Sequence, residues 1–159
     1  MTLRPLAICA ALACLAIPRL ACTADHEHGS ATDQRHAIPL DAREKHFLLS
    51  EMRDFLAVTQ RILAASHAGD MEAVAAAALR AGLKAHQADF ANPESLVHGI
   101  RKKAPPAFFP LGRATHEGFD EIAEVAKAIG DGDTVNKLLA DNLQRCVACH
   151  SAYRVADSH

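Results

Sequence analysis

Tryptophan is absent from this 159-residue chain, tyrosine occurs once and phenylalanine six times. A core so poor in rings must be filled by small and aliphatic side chains, and half of the residues are hydrophobic. Alanine is abundant, and it favours helix more than any other residue. No segment shows the strict two-residue alternation of a half-buried strand. An all-α domain with close helix contacts is therefore expected, and the length suits one such domain. No basic stripe is present, and 17 Lys and Arg face 19 Asp and Glu, which argues against nucleic acid as a partner. No set of acid, base and nucleophile at working spacing is present either, so no enzyme is proposed. The one long apolar run, Leu6 to Ile17, is too short to span a bilayer comfortably.

That run has the marks of a signal peptide. Arg4 supplies the positive n-region, Pro18 breaks the h-region, and small residues follow at Ala21, Cys22, Thr23 and Ala24. Cleavage near Ala24 makes residues 1–24 an export signal and places the mature chain in the periplasm with no membrane span. Two other readings of the segment are an uncleaved anchor and a lipidated N-terminus at Cys22. Cleavage removes Arg4 and Arg19 and no acid, leaving a net charge of −4. It also removes Cys9, Cys14 and Cys22, so only Cys146 and Cys149 of the five cysteines remain.

Residues 25–40 are polar and carry His26, His28 and His36 without apolar periodicity, which reads as a flexible leader. From Asp41 the pattern is helical. Leu48, Met52, Phe55, Thr59 and Ile62 step by four and three, with Leu49, Leu56 and Leu63 widening the stripe. Gly69 ends this first helix and Asp70 caps a second, which is expected to run to about Phe90 with Val74, Ala78, Leu79, Leu83 and His86 inward. Asn92 to Pro106 reads as a long connection holding the basic run Arg101-Lys102-Lys103. Pro110 suits the first turn of a third helix, whose stripe is Leu111, Thr115, Phe119, Ile122, Ala126 and Ile129. After Gly130-Asp131-Gly132, Asp133 is expected to cap a fourth helix carrying Val135, Leu138, Leu139, Leu143 and Cys146. The expected fold is an antiparallel four-helix bundle over residues 41–155, with a short tail at 156–159.

Cys146-Val147-Ala148-Cys149-His150 is the attachment sequence of haem c, Cys-x-x-Cys-His. At about 3.6 residues per turn the two thiols and the imidazole project from one helix face. Two thiols there can add to the two vinyl groups of one porphyrin, while the imidazole ligates the iron. The rival readings are a thiol redox pair, which needs a βαβ setting, a zinc half-site, which needs two further ligands, and a chance match.

A helical bundle closing on this motif resembles the class II c-type cytochromes, the superfamily that includes cytochrome c prime. The likeness extends through Cys146-Val-Ala-Cys-His-Ser-Ala-Tyr-Arg154 and is echoed by Phe119-Asp-Glu-Ile-Ala-Glu in the third helix. It covers roughly Asp41 to Arg154. The resemblance implies one covalently attached haem inside the bundle, with Arg154 near a propionate. The low-spin relatives carry a Met from the first helix on the iron, and Met52, about three turns into that helix, matches the position. A Met in such a stripe is otherwise core packing. Met71 lies at the far end of the helix, and His46 is the histidine that could substitute. His67, His86, His98 and His116 read as surface or satisfied core residues.

These readings converge on a periplasmic carrier of single electrons with His150 and Met52 as axial ligands and redox proteins as partners. The alternative is a five-coordinate relative of cytochrome c prime that binds nitric oxide or carbon monoxide. A third reading is a structural or sensory haem protein docked to a partner through Arg101 to Lys103, a run that otherwise reads as solvated loop. A homodimer through the first helix is implied by the resemblance alone.

Overall fold

A computed structural model describes residues 33–156, and Gln34 to Ala156 belong to one compact unit. The expected export signal, most of the leader and the last three residues lie outside the described residues. The chain is mostly helical. Helix α1 spans Ala42–His67. Asp41 caps it by accepting from the Arg43 and Glu44 amides, while the Glu44 carboxylate accepts from the Asp41 amide at 2.9 Å. This reciprocal box satisfies donors that the first turn would otherwise leave open. Gly69, with φ +72°, ends the helix. Its amide bonds the Ser66 carbonyl and that of Asp70 reaches Ala65, the paired bonds of a Schellman motif.

Helix α2 covers Met71–Ala81, capped by Asp70 through the Ala73 amide. It stops well short of the expected Phe90. Gly82 takes an extended conformation with its Cα against the Asp120 carboxylate, and the Lys84 amide donates to Asp120 Oδ2 at 3.3 Å. A 3-10 turn, Leu83–His86, and a short helix α3, Gln87–Ala91, follow. The stretch expected as an irregular connection contains helix α4, Leu96–Lys103, which buries Val97 and Ile100. The basic run forms the last turn of α4. There Lys103 pairs with Asp41 and with the buried Glu44, and the Arg101 guanidinium lies 5.3 Å from the centre of the Phe109 ring.

Helix α5 spans Phe108–Ala128 with Pro110 in its first turn. Helix α6 spans Gly132–Ala152 and starts earlier than expected, because Asp131 rather than Asp133 is the cap. Its carboxylate accepts from the Thr134 amide at 2.8 Å. Gly132 packs closely on Ser66, whose hydroxyl donates to the Gly132 carbonyl.

Helix α2 packs against α1 and α5, α5 against α6, and α6 back against α1. Their shared core is small and aliphatic: Val58 and Ile62, Val74 with Ala75, Ala77, Ala78 and Ala81, Ile122 with Ala123 and Ala126, and Val135 with Leu139. Phe119 is the single ring among these fully buried residues. The alanines of α2 and α5 let those helices approach closely. Leu49, Leu56 and Leu63 do not widen the buried stripe of α1 but are exposed on it, and Ile129 is exposed at the end of α5.

One part of the expected leader is ordered. His36–Ile38 forms strand β1, which pairs in parallel with β2, Tyr153–Val155, immediately after α6. Ile38 is 1% exposed. Three residues are too few for a periodic pattern, so this strap left no mark that distinguished it from the polar residues before it. Among the described residues no helix is long and apolar enough to cross a membrane.

Candidate functional site

The last two turns of α6 carry Cys146, Cys149 and His150. Both cysteines are half-buried and form no disulfide, and His150 is exposed on the helix surface. Burial pushes both thiols up from their ordinary range, and for Cys149 the neighbouring Cys146 adds to the effect. A raised thiol value weakens these cysteines as redox nucleophiles. Among the described residues no three His, Cys, Asp or Glu side chains come together in a set able to hold a metal ion. The donor set thus gives no support to the zinc reading. A porphyrin supplies four ligands of its own and asks the protein only for axial donors.

Both cysteines and His150 line a cavity of about 430 Å³, and so do Met52 and Arg154. The five residues that the sequence singles out as a site therefore share one enclosure. Its walls explain where the scarce aromatic residues go: Phe47, Phe55, Phe90, Phe108, Phe109 and Tyr153 all line it. The seventh, Phe119, stacks on Phe55 at 5.6 Å between ring centres. Along one wall His36 meets Tyr153, Tyr153 meets Phe108, and Phe108 meets Phe109. Ile38 of the strap lines the cavity too, and the Arg35 guanidinium donates to the His150 carbonyl at 3.3 Å. The strap thus holds the end of α6 from outside the helical core.

Charge around the enclosure differs from charge over the whole chain. Arg35, Lys45, Arg113, Arg145 and Arg154 line it against only Glu51 and Asp89, although the chain carries a formal net charge of −2. Such a wall suits an apolar ligand with anionic groups at its rim.

The remaining candidates separate clearly. His46 is exposed on α1 and does not line the cavity, and neither do His67 or His98. Met71 packs partly buried against the aliphatic core, away from the cysteines. His86 and His116, read from sequence as surface or satisfied core, both line the cavity. His116 is 7% exposed, and its Nδ1 lies 2.7 Å from the Ala81 carbonyl. A signal for it existed, since Gly112, His116, Phe119 and Ala123 share a helical face with the buried stripe of α5.

Comparison with family models, with curated proteins and with solved structures finds no match to this chain.

Proposed function

We propose that this chain is a mono-haem c-type cytochrome that carries single electrons in the periplasm. Cys146 and Cys149 would hold the porphyrin through thioether bonds, and His150 and Met52 would ligate its iron. The observation that carries the reading is the common cavity: two unpaired thiols, an imidazole and a thioether, from helices far apart in sequence, line one apolar enclosure. The ring of contacts among α1, α2, α5 and α6 supports a four-helix bundle of the class II kind.

When bound, haem supplies an iron that cycles between ferric and ferrous states. The chain's own residues set how it does so. Met52 would offer the iron a thioether, which favours the reduced state relative to a second imidazole. The rings of Phe55, Phe90 and Phe108 exclude water, which sharpens every charge effect inside the cavity. Arg154, half-buried in the wall, offers a cation to a propionate, and the neighbouring arginines reinforce it. Residues 1–24 direct export, after which partner redox proteins exchange electrons at the exposed end of α6.

The test has two readings in one preparation from the native host. Haem should stay with the polypeptide in acidified organic solvent, since thioether bonds survive conditions that extract non-covalent haem. The ferric protein should be low-spin with the weak near-infrared band of sulfur–iron ligation. Clean extraction of haem sinks the proposal. A wild-type protein that is high-spin and takes up carbon monoxide favours the gas-binding alternative and makes Met52 ordinary packing.

A further inference from the structure

The cavity has a second feature that the electron-carrier reading does not use. His116 of α5 and His86 of the 3-10 turn face each other with ring centres 4.8 Å apart. His116 is enclosed by Phe55 at 5.0 Å and Phe90 at 5.9 Å, both edge-on. Its Nδ1 keeps a proton directed at the Ala81 carbonyl, so the lone pair lies on Nε2, which forms no hydrogen bond among the described residues. Desolvation holds this imidazole below the ordinary histidine range, against the opposing pull of the Ala81 carbonyl. A buried neutral base therefore sits in the wall of the enclosure.

His86 connects that base to the outside. It lines the large cavity and also a second cavity of about 140 Å³ between α1 and α2. Its Nε2 lies 3.2 Å from the Arg80 carbonyl and its Nδ1 3.9 Å from the half-exposed Asp89 carboxylate. The charged groups facing the pair come from every neighbouring element. Glu51, Asp54 and Arg61 belong to α1 and Arg80 to α2, while Asp89 is on α3. Asp120 is on α5, one turn beyond His116, and Arg113 of α5 and Arg145 of α6 share the large cavity. Arg35, Lys45 and Arg154 line the large cavity as well, so cations outnumber acids around the pair.

We propose that the His86–His116 pair takes up a proton when the iron is reduced, so that the protein carries a proton together with its electron. The inference rests on the haem reading above. An external one-electron reductant adds an electron to ferric iron and lowers the net charge of the site by one. A proton from solvent, reached on the side where His86 and the half-exposed Asp89 line the cavity, adds to Nε2 of His116 and restores that charge. Oxidation by the next carrier reverses both steps, and no other bond changes. The apolar walls make the coupling strong, because little water screens the two charges from each other.

Reduction then depends on pH in a defined direction. Between the lower histidine value of the ferric protein and the higher one of the ferrous protein, raising pH opposes reduction. In that window the equilibrium constant for reduction falls by up to about tenfold per pH unit, the limit for one proton per electron.

The experiment is an electrochemical titration of the holoprotein between about pH 5 and 8, where histidine titrates. The wild type should show the slope, and His116→Gln should lose it. Glutamine can still donate to the Ala81 carbonyl but does not titrate. His86→Gln should shift or slow the response. A second measurement needs no variant: electrode reduction of the wild type in weakly buffered solution, with an indicator dye, should report proton uptake. A flat potential, a silent dye, or a slope that persists in both variants overturns the coupling in a haem-bearing protein. Clean extraction of haem from the wild type overturns the electron-carrier reading and the coupling with it.

Discussion

Two methionines follow the expected cleavage point, and their surroundings give them different fates. Met52 is half-buried in the wall that also holds both thiols, whereas Met71 fills a gap beside Val74 and its neighbours. Met52→Leu keeps size and apolarity, so the fold should tolerate it at a cost below about 1.5 kcal/mol. It should nonetheless abolish the near-infrared sulfur–iron band and let carbon monoxide bind the ferrous protein readily. Met71→Leu should do neither, and absorption spectra of both variants decide the point. At this scale the sequence was informative wherever chemistry is local. Cys146, Cys149 and His150 fall on one face of one helix, so their spacing alone carries the motif. His116 was not legible in the same way. Its value depends on Ala81, His86 and Phe90, which reach it only because α2 ends where it does.

Among the elements, the helices with long apolar stripes were expected and found, and the short ones were not. Helix α4 offers only Val97 and Ile100 to the core, one helical step apart, inside a stretch punctuated by proline and glycine. The strap, β1, draws its order from β2 at the other end of the chain, a pairing no local pattern reveals. The end of α2 is the most consequential of these differences. Gly82 lies at φ −68° and ψ 155°, a conformation open to any residue, so the constraint there is steric. A Cβ at this position would lie 2.8 Å from the Asp120 carboxyl carbon, and Asp120 is itself buried. Gly82→Ala should therefore displace Asp120 or the 3-10 turn and lower stability by about 1–3 kcal/mol, as overpacked sites do. Urea unfolding measures the loss. Because the same turn carries His86, the variant should also disturb the pH dependence of reduction. An unchanged urea midpoint would mean that the turn yields freely and does not fix the wall of the cavity.

Taken as a whole, the described chain has two ends built on different terms. The aliphatic core of Ile62, Val74, Ile122 and Leu139 is closed by side chains alone, and none of its fully buried members lines the large cavity. The other end, with α3, α4, the strap and most of the rings, surrounds the cavity, and the proposed haem would pack against it. Stability should divide accordingly, since local opening follows the density of buried apolar contacts. Cys146→Ser combined with Cys149→Ser, purified free of haem, should keep most of its far-ultraviolet helical signal. Its near-ultraviolet signal should fall, because the rings that line the cavity lose their fixed surroundings. Hydrogen exchange should then quicken in residues 36–38, 83–104 and 153–155, while α2 and the second half of α5 stay protected. Haem binding stabilises only the state that binds it, so the wild-type holoprotein should show slow exchange in both groups. Uniform loss of protection along the serine variant would mean that core and cavity fold as one unit, and would remove the basis for assigning the aliphatic end an independent stability.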